Sequence, residues 1–201
     1  MKSFSLVAAL LSSAAFSSFA AAQEQTLQFK MTVSDGASIC LPNAWAEVTD
    51  HTFGNFENLE VVAHELPPNT GFDFFIIQVP NPPFGASWYM GDITTDSTGT
   101  GVGNFVGRFS SETFIISPNK TPAPNEFPDP PAVVPEETDG VITNPVQMYH
   151  LGLWFDSSAA AAKAGCPSTK TPFNGAHDAG IQVLNTAVGF SNLAGPLIGI
   201  K

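Results

Sequence analysis

The segment FDFFIIQV, residues 72–79, is the feature that most constrains how this chain can fold. Alternate side chains of an extended strand point to opposite faces, so this segment would carry apolar side chains on both faces. Proline-rich stretches, LPPNTG before it and PNPPFG after it, are typical of turns because proline presets φ. The pattern predicts a strand that lies centrally in a sheet and is buried on both sides.

Composition extends this prediction to the whole chain. The sequence contains 17 Phe, 17 Gly and 17 Pro, and 43% of its residues are hydrophobic. Phenylalanine favours strands, whereas glycine and proline favour turns, and the hydrophobic content is too high for a disordered chain. We therefore predict a mainly β fold, a single β-sandwich of about eight to nine strands with Greek-key-like connections. Strands are predicted at 26–33, 59–66, 72–79, 86–94, 103–109, 112–117, 146–155, 179–186 and 196–200.

The remaining segments are assigned to loops and to one helix. Residues 34–58 are rich in turn-forming residues and are predicted to form a long loop. Residues 157–164 are predicted to form a short helix, because Asp156 or Ser157 can cap a run of alanines that Gly165 ends.

The ends of the chain and its proline-rich segment define the domain organisation. Residues 1–22 have an early lysine, an apolar run and a small-residue exit, which predicts a signal peptide. Residues 118–145 contain eight prolines and are predicted to be an excursion within one domain, 23–201. The segment after them is too short to bury a core alone. Asn119 begins an Asn-Lys-Thr sequon and is a predicted glycosylation site.

Charge and cysteine content indicate where the protein works. The net charge is −11 and Arg108 is the only arginine, so nucleic acid and anionic membranes are not expected partners. The two cysteines, Cys40 and Cys166, are predicted to form a disulfide in an oxidising compartment. Together with the predicted signal peptide, these features predict an acidic, secreted, extracellular protein.

Histidines are the candidate metal ligands. His64, His150 and His177 show no H-x-H or H-x-x-x-H spacing, so they would form a metal site only if the fold brings them together. The serine-containing segments GASWY and GFSNL lack the final glycine of the G-x-S-x-G hydrolase motif. A secreted hydrolase or a metal-dependent enzyme built on these histidines remains the alternative, and no cofactor other than such a metal ion is expected.

Aromatic residues are the candidate ligand-binding groups. Trp88 and Tyr89 follow a proline turn, and Trp45 lies in the predicted loop, so their rings could face a sugar or a protein. Trp154 lies between Leu153 and Phe155 and is predicted to be buried in the core.

Two blocks of the sequence carry a resemblance. Residues 66–109, LPPNTGFDFFIIQVPNPPFGASWYMGDITTDSTGTGVGNFVGRF, and 149–182, YHLGLWFDSSAAAAKAGCPSTKTPFNGAHDAGIQ, resemble secreted bacterial and fungal proteins of unassigned function. The first block also resembles the LPP…GxG strands of CHRD-type extracellular β-sandwich domains. The histidine pattern of those domains is not evident here, so the resemblance implies a secreted β-sandwich and no site residues. The sequence as a whole favours a non-catalytic protein that binds an extracellular ligand, glycan or protein.

Overall fold

A computed structural model describes residues 24–54, 56–82, 84–85, 87–109, 113–114, 136–137, 140–141, 146–171, 178–192 and 194–200. The predicted signal peptide, Asn119 and His177 lie outside these residues. The long strands are β1 (Thr26–Val33), β2 (Trp45–Phe53), β3 (Phe56–His64), β4 (Gly71–Ile77), β5 (Ser87–Thr94) and β6 (Gly101–Gly107). They are followed by four two-residue strands, β7 (Thr113–Phe114), β8 (Glu136–Glu137), β9 (Gly140–Val141) and β10 (Val146–Gln147). The chain continues with β11 (His150–Phe155), α1 (Ser158–Lys163), β12 (Gln182–Asn185) and a 3-10 helix (Pro196–Gly199).

Eight strands form a single antiparallel sheet in the order β5-β4-β11-β12-β1-β2-β3-β6. The two edge strands meet at an antiparallel bridge between Thr95 and Gly101, which nearly closes the sheet into a barrel. The predicted mainly β fold with one short helix is confirmed. Two separate sheets packed as a sandwich were predicted. Instead, the long strands form one curled sheet whose inner face encloses the main core.

Strand β4 has the doubly buried character that its sequence predicts. Phe72, Phe74 and Ile76 belong to the main core inside the sheet. Phe75 and Ile77 belong to a second cluster on the outer face, where they pack with Trp154. Because β4 pairs with β5 on one side and β11 on the other, neither edge of β4 is open.

The 34–58 loop prediction is wrong over about half of its length, because β2 begins at Trp45 and β3 begins at Phe56. Its inward residues include Ala46 and Val48, which are buried, but the next inward position is Asp50. Small and acidic residues at inward positions obscure the apolar alternation by which a strand is recognised. Pairing with β1 and β3 on its two sides, rather than strand propensity, establishes β2.

Two predictions near the C-terminal half have opposite outcomes. Helix α1 is confirmed, and the Ser157 side chain accepts a hydrogen bond from the Ala160 amide at 3.2 Å. Gly165 ends this region with a φ of 77°, a conformation that favours glycine. The strand predicted at 196–200 is wrong: Pro196 stands at the start of a 3-10 helix, where its missing amide costs no hydrogen bond.

The predicted disulfide is confirmed. Cys40 and Cys166 are bonded with their Cα atoms 5.2 Å apart, across a sequence separation of 126 residues. The bond joins the turn before β2 to the segment that follows α1, and so ties the two halves of the chain together. None of the helices in the described part of the chain has the length and apolar character needed to span a bilayer.

Candidate ligand-binding surface

Trp88 and Tyr89 lie near the start of β5, the strand at one edge of the main ladder. Trp88 is 42% exposed and Tyr89 is 48% exposed. The pairing with β4 sets Tyr89 opposite Phe75 and Gly91 opposite Phe74, so Met90 is an extra residue in β5. This β-bulge changes which residues of β5 share a face.

The bulge brings Tyr89 and Asp92 to the outer face of the sheet. In a regular strand residues three positions apart point to opposite faces. Here Tyr89 pairs with Phe75 and Asp92 pairs with Asp73, and these two β4 residues are two positions apart. The phenol Oη of Tyr89 donates a hydrogen bond to Asp92 Oδ1 at 2.6 Å. The carboxylate therefore fixes the orientation of an exposed ring.

A buried aromatic cluster supports this ring from behind. The Tyr89 ring lies 5.4 Å from the Phe75 ring, measured between centroids. Phe75 contacts Trp154 edge-on at 5.3 Å, and Phe84 contacts the same indole at 5.0 Å. Trp154 is 2% exposed, as its sequence context predicts. The cluster leaves Tyr89 little freedom to change its rotamer when a ligand binds.

The outer face beside Tyr89 is acidic. Asp73 is 1% exposed, whereas Asp92 is exposed. Burial raises the pKa of Tyr89 to about 12, and the hydrogen bond to Asp92 together with the charges of Asp92 and Asp73 adds to the increase. The surface thus combines a half-exposed phenol ring with carboxylate oxygens that can accept hydrogen bonds.

We predict that Tyr89 ionises near pH 12 in a titration followed by ultraviolet absorbance of the phenolate. Tyr89→Phe assigns the transition, because the chain has only 2 tyrosines. Asp92→Asn, which removes one negative charge beside the ring, is expected to lower this pKa toward 10. A Tyr89 that ionises near pH 10 in the unmodified protein would contradict the described hydrogen bond.

Trp45, the third predicted ligand-binding residue, is not part of this surface. It lies at the start of β2, and β3 and β6 separate β2 from β5. Its ring is half-buried and stacks on His64 with centroids 4.5 Å apart, and Lys30 Nζ lies 4.4 Å from the ring centroid. Trp45 is thus held between neighbouring strands by a histidine and a lysine.

His64 and His150 are not brought together. They lie on β3 and β11, which are four positions apart in the sheet in either direction around the near-barrel. His150 is fully buried, and its Nε2 donates to the Ser191 carbonyl oxygen at 2.9 Å while Nδ1 accepts from Thr186 Oγ1 at 2.9 Å. Burial lowers the pKa of His150, so this ring is a neutral structural group. Within the described ranges no three His, Cys, Asp or Glu side chains are grouped as metal ligands.

Comparison with protein-family models, curated proteins and solved structures finds no match to this chain. Sequence reasoning identified Trp88 and Tyr89 as exposed, and missed the partnership of Tyr89 with Asp92. The signal was absent because a spacing of three residues predicts opposite faces in a strand, and only the bulge reverses this.

Proposed function

We propose that the protein is secreted and that it binds a neutral extracellular carbohydrate at the surface formed by Tyr89 and Asp92 on the outer face of β5. The observation that carries this proposal is the half-exposed Tyr89 ring, oriented by its 2.6 Å hydrogen bond to Asp92. An ordered aromatic ring at the surface, with a carboxylate beside it, is complementary to a sugar. The C–H face of the sugar packs on the ring and its hydroxyl groups donate to the carboxylate.

Rigidity supports binding over a purely structural role for Tyr89. A ligand that immobilises a mobile side chain loses roughly 0.5–1.5 kcal/mol of affinity for each such group. Tyr89 is already held by Asp92 and by Phe75, so a ligand that packs on its ring removes little further side-chain freedom. Trp88 is also exposed, but it pairs with Ile76, whose side chain belongs to the core inside the sheet, so its ring points to the opposite face of β5 from Tyr89.

Charge supports a neutral ligand over an anionic one. The chain carries a net charge of −11, and Asp73 and Asp92 face each other across β4 and β5 beside the Tyr89 ring. An anionic polysaccharide would be repelled by these carboxylates.

Secretion is supported by the leader-like residues 1–22 and by the Cys40–Cys166 disulfide. Disulfides persist in oxidising compartments and are rare in the cytosol of most organisms. Glycosylation at Asn119 remains a prediction that depends on passage through a eukaryotic secretory pathway.

We expect neutral oligosaccharides of one backbone type to bind in isothermal titration calorimetry. The probes are gluco-, xylo-, manno- and chito-oligosaccharides, with an oligogalacturonate as the anionic comparison. Tyr89→Ala is expected to weaken the binding of the active probe roughly tenfold, because loss of an aromatic contact costs on the order of 1 kcal/mol or more. Trp88→Ala should leave the affinity nearly unchanged, because Trp88 pairs with Ile76 and points to the other face of β5.

Phe56→Ala is the matched control, because Phe56 is an aromatic residue that is 53% exposed on β3, away from the proposed surface. This variant should bind with unchanged affinity. Binding that survives Tyr89→Ala, or a preference for the anionic probe, would reject the proposed surface. An absence of binding to every neutral probe would reject carbohydrate as the ligand class.

A further inference from the structure

Two carboxylates lie inside the sheet on the β2–β3 hairpin. Asp50 is 0% exposed and Glu57 is 6% exposed. Asp50 follows the inward residues Ala46 and Val48 along β2, and Glu57 shares the buried face of β3 with Leu59. Neither acid belongs to the outer surface around Tyr89, so they form a separate feature of the molecule.

The pairing of the strands sets the two acids close to each other. Asp50 is directly opposite Leu59 on β3, and Glu57 lies two residues before Leu59 on the same strand. Diagonal neighbours of this kind have Cα atoms roughly 7–8 Å apart, within reach of long side chains. The charge of Glu57 acts on Asp50 in this arrangement.

The surroundings of Asp50 are apolar. Its pairing partner on the other side is Leu27 of β1, and Gly107 of β6 is opposite Glu57. The nearby Thr52 hydroxyl oxygen accepts a hydrogen bond from the backbone amide of Gln25 at 2.6 Å. No titratable side chain of β1, β6 or the 3-10 helix faces the two acids among the described residues. His51 is on the opposite face, where its Nδ1 bonds Thr26.

Asp50 is unpartnered in these surroundings. Neither of its carboxylate oxygens has a hydrogen-bond partner, and the ion pairs of the described residues do not include Asp50. A buried carboxylate without donors is costly to ionise. Burial accordingly raises the pKa of Asp50 to about 7, and the nearby Glu57 adds to the increase. A bound cation would satisfy the two unpartnered carboxylate oxygens of Asp50.

We propose that Asp50 and Glu57 bind a hard divalent cation, Ca²⁺ or Mg²⁺, inside the β2–β3 end of the sheet. Carboxylate oxygens are the ligands that these cations prefer, and a double positive charge offsets the buried, unpartnered charge of Asp50. No sulfur ligand is available, because the cysteines are bonded to each other, so softer metals are not favoured. The remaining coordination positions would be filled by water, as is usual for Mg²⁺ held by one or two carboxylates.

The test is thermal unfolding of the full chain at pH 8, with CaCl₂ or MgCl₂ compared with NaCl at equal ionic strength. We expect a saturable rise in Tm of about 5 °C with one of the divalent salts, because the cation binds the folded state only. At pH 5 the rise should be smaller, since protons compete for Asp50. Isothermal titration should give one cation per chain.

Asp50→Asn and Glu57→Gln are expected to abolish the rise. Both variants remove a buried charge, so they are expected to fold, and Asp50→Asn should be more stable than the unmodified protein at pH 8. Glu60→Gln is the matched control, because Glu60 is exposed on the other face of the same strand. The control should keep the full rise.

Three results would overturn the proposal. The first is a response to Ca²⁺ and Mg²⁺ no larger than the response to NaCl. The second is a rise that persists in Asp50→Asn. The third is a rise that disappears in Glu60→Gln as well, which would show general screening of an acidic surface. None of these outcomes bears on carbohydrate binding, because Tyr89 and Asp92 are on the outer face of other strands.

Discussion

Replacing Cys40 and Cys166 with serine is expected to lower the free energy of unfolding by about 4–5 kcal/mol. The bond closes a sequence separation of 126 residues, and a cross-link of that length removes a large part of the conformational entropy of the unfolded chain. Urea unfolding of the double variant and the unmodified protein, followed by far-ultraviolet circular dichroism, measures the difference. Both proteins should give the same β-rich spectrum in the absence of urea at low temperature.

The unmodified protein in reducing buffer is the matched control for this experiment. Its urea midpoint should move to that of the double variant, and the double variant should not respond to the reductant. A loss of less than about 1 kcal/mol would mean that the unfolded chain stays compact without the bond, contrary to the entropic explanation.

Phe74→Ala is expected to destabilise the fold by about 3–5 kcal/mol. Phe74 is fully buried in the main core, and its ring stacks on that of Phe105 with centroids 4.8 Å apart. Removing the ring leaves a cavity between β4 and β6. These strands lie on either side of β5, where the sheet nearly closes on itself. Chemical denaturation at neutral pH provides the measurement.

Phe56→Ala serves as the comparison for Phe74→Ala. The Phe56 side chain is 53% exposed near the tip of the β2–β3 hairpin, so its removal should change stability by no more than about 0.5–1 kcal/mol. Equal effects of the two substitutions would show that Phe74 is not in a close-packed core.

The sequence predicts the strands whose pattern is strongest. β1 and β4 appear where alternation or doubly apolar character indicates them, and α1 begins after Ser157, one of the two predicted caps. β2 could not be predicted, because its inward positions carry Ala46, Val48 and Asp50 rather than a continuous apolar face. Such a strand forms because β1 and β3 pair with it, and these contacts are distant in the sequence.

In the candidate site, too, features set by the local sequence could be predicted, whereas contacts set by strand pairing could not. The exposure of Trp88 and Tyr89 follows from their place after a proline turn, and the structure agrees. The contact of Tyr89 with Asp92 depends on the bulge at Met90, which no local pattern indicates. The closeness of Asp50 and Glu57 depends on the register of the β2–β3 hairpin, which lies where a loop was predicted.

The central claim, that Tyr89 and Asp92 form the carbohydrate-binding surface, is tested most directly by the indole N–H signals of the folded protein, because Trp154 packs on Phe75 directly behind the Tyr89 ring. The chain has 3 tryptophans, so a two-dimensional ¹⁵N–¹H spectrum resolves three such signals, assigned by replacing Trp45 and Trp88 in turn with phenylalanine. During titration with the oligosaccharide that binds, we predict a saturable shift of the Trp154 signal with little change in that of Trp45. A saturable shift of Trp45 with an unmoved Trp154 would contradict the account.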